Sequence, residues 1–331
     1  MRRGLKEQTL GAVAVAEAGV RRTDLEIVDS VKRMYFGAVL AVQIHDVGKD
    51  TLARMEATLR LTESLYKEGT GTVKKTDYLD NRVMVETLRS AIALLDKNRK
   101  ISRAALANTM GYRWDVSVIP TAEEIAFNPF RGNLADLVSA AYEMNPDWAT
   151  IEAAITAGSG KVRESRSGHY PRVAFTGSLN YLWNDYEFGI ATAANKENSM
   201  VGIMIDFPLF DGFMTNHRVI EAKARLRKLK EERILLREGI GLRVRDLFLD
   251  LEAAQNRYDA TLDAMRTSEE NRDLNVRAYQ NELVETEDVI RAQLMEAFMA
   301  AQHYRVRYDH AAKQSELSLV VGSEIRERLN R

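Results

Sequence analysis

The 331-residue chain contains no cysteine. Disulfides, thiolate metal sites and cysteine nucleophiles are therefore excluded, and the absence suits an oxidising compartment. Proline is scarce and confined. All five prolines (Pro120, Pro129, Pro146, Pro171, Pro208) lie in the middle, so residues 1–119 and 209–331 have none. Proline breaks helix interiors, which leaves two long arms free to be helical. Charge of one sign is also lacking: 47 Lys and Arg face 48 Asp and Glu. Nothing in that balance suggests a nucleic-acid surface, which would need a basic excess. No apolar run approaches the ~20 residues of a membrane helix. The opening MRRGLKEQTLGAVAVAEAG has a basic start and a short apolar patch. Glu7 and Glu17 interrupt it, so it makes a poor signal peptide, and an export signal is expected to be missing from these residues.

What is present is helical arm, mixed centre, helical arm. In the first arm Leu25, Val28, Val31, Tyr35, Ala38 and Val42 recur at three- and four-residue steps, predicting a helix from about Leu5 to Tyr66. KEGTGTVKKT then makes a glycine-bearing turn. Leu79, Val83, Leu88, Ile92 and Leu95 mark a second helix from about Asp77, closed near Gly111. Residues 112–133 have no long period and read as a linker with one strand-like piece. LADLVSAAYEM opens a helix at Leu134, and Asn145-Pro146 reads as N-cap and first position of the next. After Gly212 a very long helix is expected to about Tyr279, then the turn NELVET, then a helix from Glu287 to Val321 closed by Gly322.

Two runs in the centre alternate like half-exposed strands. Val173, Phe175, Leu179, Tyr181 and Trp183 share one face, opposite Ala174, Thr176, Ser178, Asn180 and Asn184. Val201, Ile203, Ile205, Phe207 and Leu209 share a face, opposite Gly202, Met204 and Asp206. A period of two with one apolar and one polar face marks a strand wet on one side. Each run is about nine to a dozen residues, roughly what a tilted strand needs to cross a bilayer. Tyr170, Phe210 and Phe213 join the aromatics near the run ends, where a membrane barrel carries its girdles.

The arms repeat. Thr76-Asp77-Tyr78-Leu79 aligns with Glu287-Asp288-Val289-Ile290, and Gly111 with Gly322, at one interval of 211 (288 − 77 and 322 − 111). Tyr66 and Tyr279 precede the two turns. Each repeat is long helix, turn, shorter helix, glycine, so two antiparallel helical hairpins are expected, with the strands at the opposite end from the turns. Helices of 60–70 residues would reach about 90–105 Å. Such rods cannot bury their apolar stripes alone and need partners.

The second half resembles the outer-membrane efflux protein family, the TolC-like channel-tunnels. The resemblance rests on Asn145-Pro146 after LVSAAYEM, on VRESRSGHYPRV entering the first strand, on FPLFDGF leaving the second, and on the Tyr279 to Asp288 spacing. It runs from Leu134 to Gly322, and the first arm resembles the family's earlier repeat. It implies a mainly α fold with a coiled-coil tunnel and a membrane-spanning β-hairpin contributed to an oligomeric barrel. The divisions are 1–111 first hairpin, 112–133 linker, 134–168 helices leading to the barrel, 169–211 transmembrane hairpin, 212–322 second hairpin and 323–331 tail. It implies a passive conduit of a tripartite efflux or type I secretion system, in the outer membrane with a periplasmic extension. The implied partners are two further copies in a homotrimer, a periplasmic membrane-fusion adaptor, an inner-membrane RND or ABC transporter, and outer-membrane lipid. No enzyme, cofactor, metal or nucleic acid is implied.

The resemblance also implies an aperture at the turns, drawing on Tyr66, Thr76, Asp77, Tyr279, Asp288 and Arg291. Tyr279 would latch to Asp77. Asp288 matches the first ring aspartate, whereas Arg291 stands where the family has the second and Val284 where it has an arginine. Asp77 and Asp288 also suit helix starts, where a carboxylate favours the dipole. The family carries two strand pairs per chain and this sequence one, so a truncated channel is a further expectation, as is a soluble coiled-coil scaffold. His45-Asp46 resembles the metal motif of HD-type phosphohydrolases, but the five histidines do not cluster with it, and it reads as a surface helix. Gly158-Ser159-Gly160-Lys161 lacks the surroundings of a phosphate loop and reads as loosened helix. KARLRKLKEER (Lys223 to Arg233) reads as a solvated helix face.

Overall fold

The computed structural model describes residues 2–69, 73–182 and 196–323. Among them are six α-helices and one strand pair: α1 (Arg2–Glu68), α2 (Lys75–Thr109), α3 (Leu134–Met144), α4 (Pro146–Arg166), β1 (Arg172–Leu182), β2 (Lys196–Asp206), α5 (Met214–Gln280) and α6 (Thr286–Val321). Trp183 and the tail from 324 lie outside the described residues.

Local chemistry sets the helix ends. Asn145 Oδ1 accepts from the Asp147 and Trp148 amides at 2.8 and 3.1 Å, capping α4 at Pro146. Its Nδ2 donates to the Val320 carbonyl at 2.7 Å, so the same side chain also satisfies the end of α6. Gly322 stands there with φ +84°, and a Cβ on it would lie 2.3 Å from the Met144 carbonyl oxygen. Only glycine meets both demands. Gly111 ends α2 in the same conformation, with the Tyr112 amide returning to the Ala107 carbonyl at 3.0 Å.

The chain divides into two compact units. The first comprises Met1–Ala18 and Ala149–Leu236. In it the start of α1 crosses α4 at backbone contact. A Cβ on Gly160 would come 2.7 Å from the Gly4 carbonyl oxygen, and one on Gly11 2.8 Å from that of Ala153. Residues 158–161 are thus regular helix, where the expectation was a loosened one; the missing side chains make room for another helix.

The second unit comprises Gly19–Trp148 and Arg237–Arg331. Here α1 and α2 run antiparallel, as their contacts show: Met55 packs with Val85, and Thr62 bonds Asn81. The α5–α6 pair does the same, through Lys313 with Asp250 and Tyr279 with Thr286. One core cluster joins Met55, Val85 and Ile290, another Val39, Ile125 and Ala311. The strand-like piece expected within 112–133 is not a strand. Its polar backbone is instead held by side chains: Arg307 Nε donates to the Ile125 carbonyl at 2.6 Å, and Tyr35 accepts from the Ala122 amide at 3.1 Å. Phe127 stacks on Tyr258 with centroids 3.8 Å apart.

Two details of the helix faces differ from expectation. Leu79 and Val83 are exposed, and α2 buries Asn81 and Val85 instead. His45 is buried rather than on the surface. It faces α2, with Nδ1 2.9 Å from Asp46 and Nε2 3.8 Å from Asp96.

Candidate functional site

The strand pair is antiparallel, and its register decides what it can do. Val173 pairs with Ile205, Phe175 with Ile203 and Gly177 with Val201, followed by Leu179 with Ser199 and Tyr181 with Glu197. Directly opposed residues point to the same side of a sheet. The two apolar runs therefore merge into one face. That face lies open: Leu179, Phe175 and Ile203 are 88%, 76% and 72% exposed. On the other side Arg172 opposes Asp206, Ala174 opposes Met204, Thr176 opposes Gly202, Ser178 opposes Met200 and Asn180 opposes Asn198. Thr176 Oγ1 donates to the Gly202 carbonyl at 3.3 Å. Among the described residues the sheet has two strands, so each carries an edge of unpaired backbone groups.

Phe207 and Leu209 do not belong to this face as expected. β2 stops at Asp206, because Pro208 has no amide to continue a ladder and the chain turns into α5. Leu209 is 89% exposed beyond the strand. The turn closes through Gly212 and Phe213, both at φ +65°. Asp211 Oδ2 accepts the Thr215 amide at 2.9 Å and the Thr215 hydroxyl, capping α5.

The helix turns form the second candidate region. Asp77 Oδ2 accepts the Lys74 amide at 2.9 Å, and Thr76 Oγ1 donates to Asp77 Oδ1 at 3.1 Å. Tyr66 stacks parallel on Tyr78, centroids 6.1 Å apart. Asp288 lies in the first turn of α6, and Arg291 reaches back to Glu287 at 2.6 Å and Asp288 at 3.7 Å. The hydrogen bond to Glu287 is the largest influence raising the Arg291 pKa above its ordinary value. Asp77 and Tyr279 line one cleft of about 270 Å³ with Lys74, Glu282, Leu283 and Glu285. No bond joins the two within this chain. Asp77 is spent on the start of its own helix, and the Tyr279 hydroxyl is buried between Thr62 at 2.7 Å and Thr286 at 2.9 Å.

That hydroxyl belongs to a polar seam that the sequence expectations missed. The Thr62 proton goes to the Thr58 carbonyl at 2.8 Å, so Tyr279 donates to Thr62 and accepts from Thr286. Asn81 Nδ2 adds a bond to Thr62 at 3.2 Å, and Gln293 Nε2 one to Thr58 at 3.0 Å. All six residues are buried, and between them they tie α1, α2, α5 and α6. The signal available was Thr51, Thr58 and Thr62 on one helical face, three buried threonines.

Elsewhere in this unit, Asp96 is held down to about 2, first by Lys100 and then by Arg99, its helical neighbours. Burial is the main cause pushing the His303 pKa down. Its Nδ1 lies 3.2 Å from Thr261 Oγ1.

A family model described as outer membrane efflux protein matches residues 137–323. Protein CyaE of Bordetella pertussis (strain Tohama I) is 24% identical over 231 residues, which is 69% of this chain and 48% of CyaE. The chain therefore spans about half the length of that curated relative. The outer-membrane channel OprN superposes with a TM-score of 0.83 at 16% identity, covering 97% of this chain and 71% of OprN. The outer membrane protein VceC of Vibrio cholerae gives 0.79 at 17% identity, over 97% of this chain and 75% of VceC. The CmeC outer membrane channel of Campylobacter jejuni gives 0.79 at 13%, over 99% and 70%. At these identities the structures speak for the fold.

Proposed function

This chain belongs to the outer membrane efflux protein family, and on that footing we propose that it forms part of the wall of a passive export conduit. The observation that carries the proposal is the apolar face shared by Val173, Phe175, Leu179, Tyr181, Val201, Ile203 and Ile205 on β1 and β2, every one of them exposed. Eleven residues at about 3.3 Å each, tilted as barrel strands are, span the ~25 Å of an outer-membrane apolar band. Lipid cannot satisfy a strand edge. Two open edges therefore call for closure with further strands, which copies in a homotrimer would bring.

The helical hairpins would extend the water path into the periplasm. Their turns would meet a membrane-fusion adaptor and, beyond it, an RND or ABC transporter, in efflux or type I secretion. Tyr66, Thr76, Asp77, Asp288 and Arg291 would lie around the aperture. Arg291 pairs with Glu287 and reaches Asp288, so a ring of these residues would be mixed in sign. No chemistry is assigned to the chain: a conduit needs a lined path and no reacting group.

Fractionation of expressing cells tests the reading. The wild type is expected only in the detergent-released membrane fraction. Val201→Arg puts a cation on the apolar face at mid-strand, at a cost of about 2–4 kcal/mol in lipid, and should deplete that fraction. Met200→Arg, one residue away on the polar face, should leave it unchanged. Buffer-soluble wild type, or equal effects of the two variants, would overturn the proposal in favour of a soluble scaffold.

A further inference from the structure

The helix ends that flank the strand pair in sequence are strongly cationic. Residues 161–166 and 214–233 together hold ten Lys and Arg against four Glu, in a chain whose net charge is −1. The excess is not spread evenly. A cleft of about 270 Å³ between the end of α4, the start of β1 and the start of α5 gathers Lys161, Arg172, Arg218 and Arg225 around two carboxylates, Glu164 and Glu221. Both carboxylates are already neutralised. Glu164 holds Lys161 at 2.6 Å and Glu221 holds Arg225 at 2.5 Å. Arg172 and Arg218 have no carboxylate within ion-pair distance among the described residues, although Asp206 opposes Arg172 in the register. Two guanidinium forks from different elements thus share one cleft with no protein anion to satisfy them. Gly168 lines it too; a Cβ there would press within 2.9 Å of Thr215.

We propose that this cleft binds a phosphate group, with Arg172 and Arg218 as its direct donors. A guanidinium fork matches the oxygens of a phosphate in pairs, and two forks balance its two charges. Lys161 and Arg225, held by their carboxylates, frame the site and keep Glu164 and Glu221 from repelling the ligand. The phosphate could be an anionic lipid's headgroup or a soluble ester; the recognising chemistry is the same. The assignment rests on the cleft and does not need the channel reading.

The test is titration of the detergent-purified full chain with inorganic phosphate, followed by calorimetry. Arg172→Gln/Arg218→Gln should weaken binding by about ten-fold or more. Lys223→Gln/Arg227→Gln removes the same charge from α5 outside the cleft and should change it less than about two-fold, the share of general electrostatics at moderate salt. If the double arginine variant loses helicity, Arg218→Gln alone, at an exposed helical position, carries the same comparison. Unchanged binding in the arginine variants, or equal loss in the lysine–arginine control, overturns the site. Competition separates the sources. Displacement of phosphate by phosphatidylglycerol vesicles but not by glycerol 3-phosphate assigns a lipid; the reverse assigns a soluble ester.

Discussion

The Tyr279 hydroxyl is buried between Thr62 on α1 and Thr286 on α6 and joins two hairpins through a single oxygen. Tyr279→Phe leaves the ring in place and strips both bonds, so about 1–2 kcal/mol of stability should be lost. Asp77→Ala removes the acceptor for the Lys74 amide and should cost about 1 kcal/mol. The two residues share no bond, so the double variant should lose the sum of the single losses. Thermal melts of the four proteins check this; a coupling above about 0.5 kcal/mol would restore the Tyr279–Asp77 latch. Asp77 and Asn145 were legible as helix-end residues because a cap depends on its own neighbours in sequence. Asn81 and Gln293 were not. A polar residue within an apolar helix reads as a break in the stripe, and what makes it a buried partner is a threonine on another helix.

At the scale of elements, glycine does two unlike things within helices. Gly160 admits the backbone of α1, while Gly19 on α1 has nothing within 4 Å of where a Cβ would stand. Gly19→Ala should therefore stabilise the chain by about 1 kcal/mol, the ordinary gain in helix propensity. Gly160→Ala should destabilise it by about 1–3 kcal/mol, because a methyl group meets backbone that cannot move aside. Denaturation midpoints of the two variants should shift in opposite directions. A matching shift would mean that the α1–α4 crossing is not close-packed in solution. The helix spans themselves were readable, since proline-free arms, a capping Asn145-Pro146 and two closing glycines are local signals. The end of β2 was not. Phe207 and Leu209 keep the alternation of the strand, and nothing in a period of two announces that Pro208 stops the ladder.

For the whole molecule, the question is what covers the apolar surface that one copy leaves open. Val20, Ile27 and Met34 recur every seven residues on α1 and are all exposed. Leu242 and Leu249 repeat the same interval on α5 and are exposed as well. A seven-residue apolar repeat is the pattern by which helices interlock in a coiled coil. Should copies assemble as proposed, these stripes are where their helices would interlock, as the two edges of the sheet would take their strands. Burying an isoleucine or leucine is worth about 1.5–3 kcal/mol. Ile27→Glu with Leu242→Glu would remove two such contacts from each seam and place charge in them. Light scattering after size exclusion in detergent should show an oligomer for the wild type and single chains for this variant, with helicity unchanged. Exposed Arg21→Glu, off the α1 stripe and with the same total change of charge, should keep the wild-type mass. If the double glutamate variant also keeps it, the stripes face water in the assembly and the copies must join along another surface.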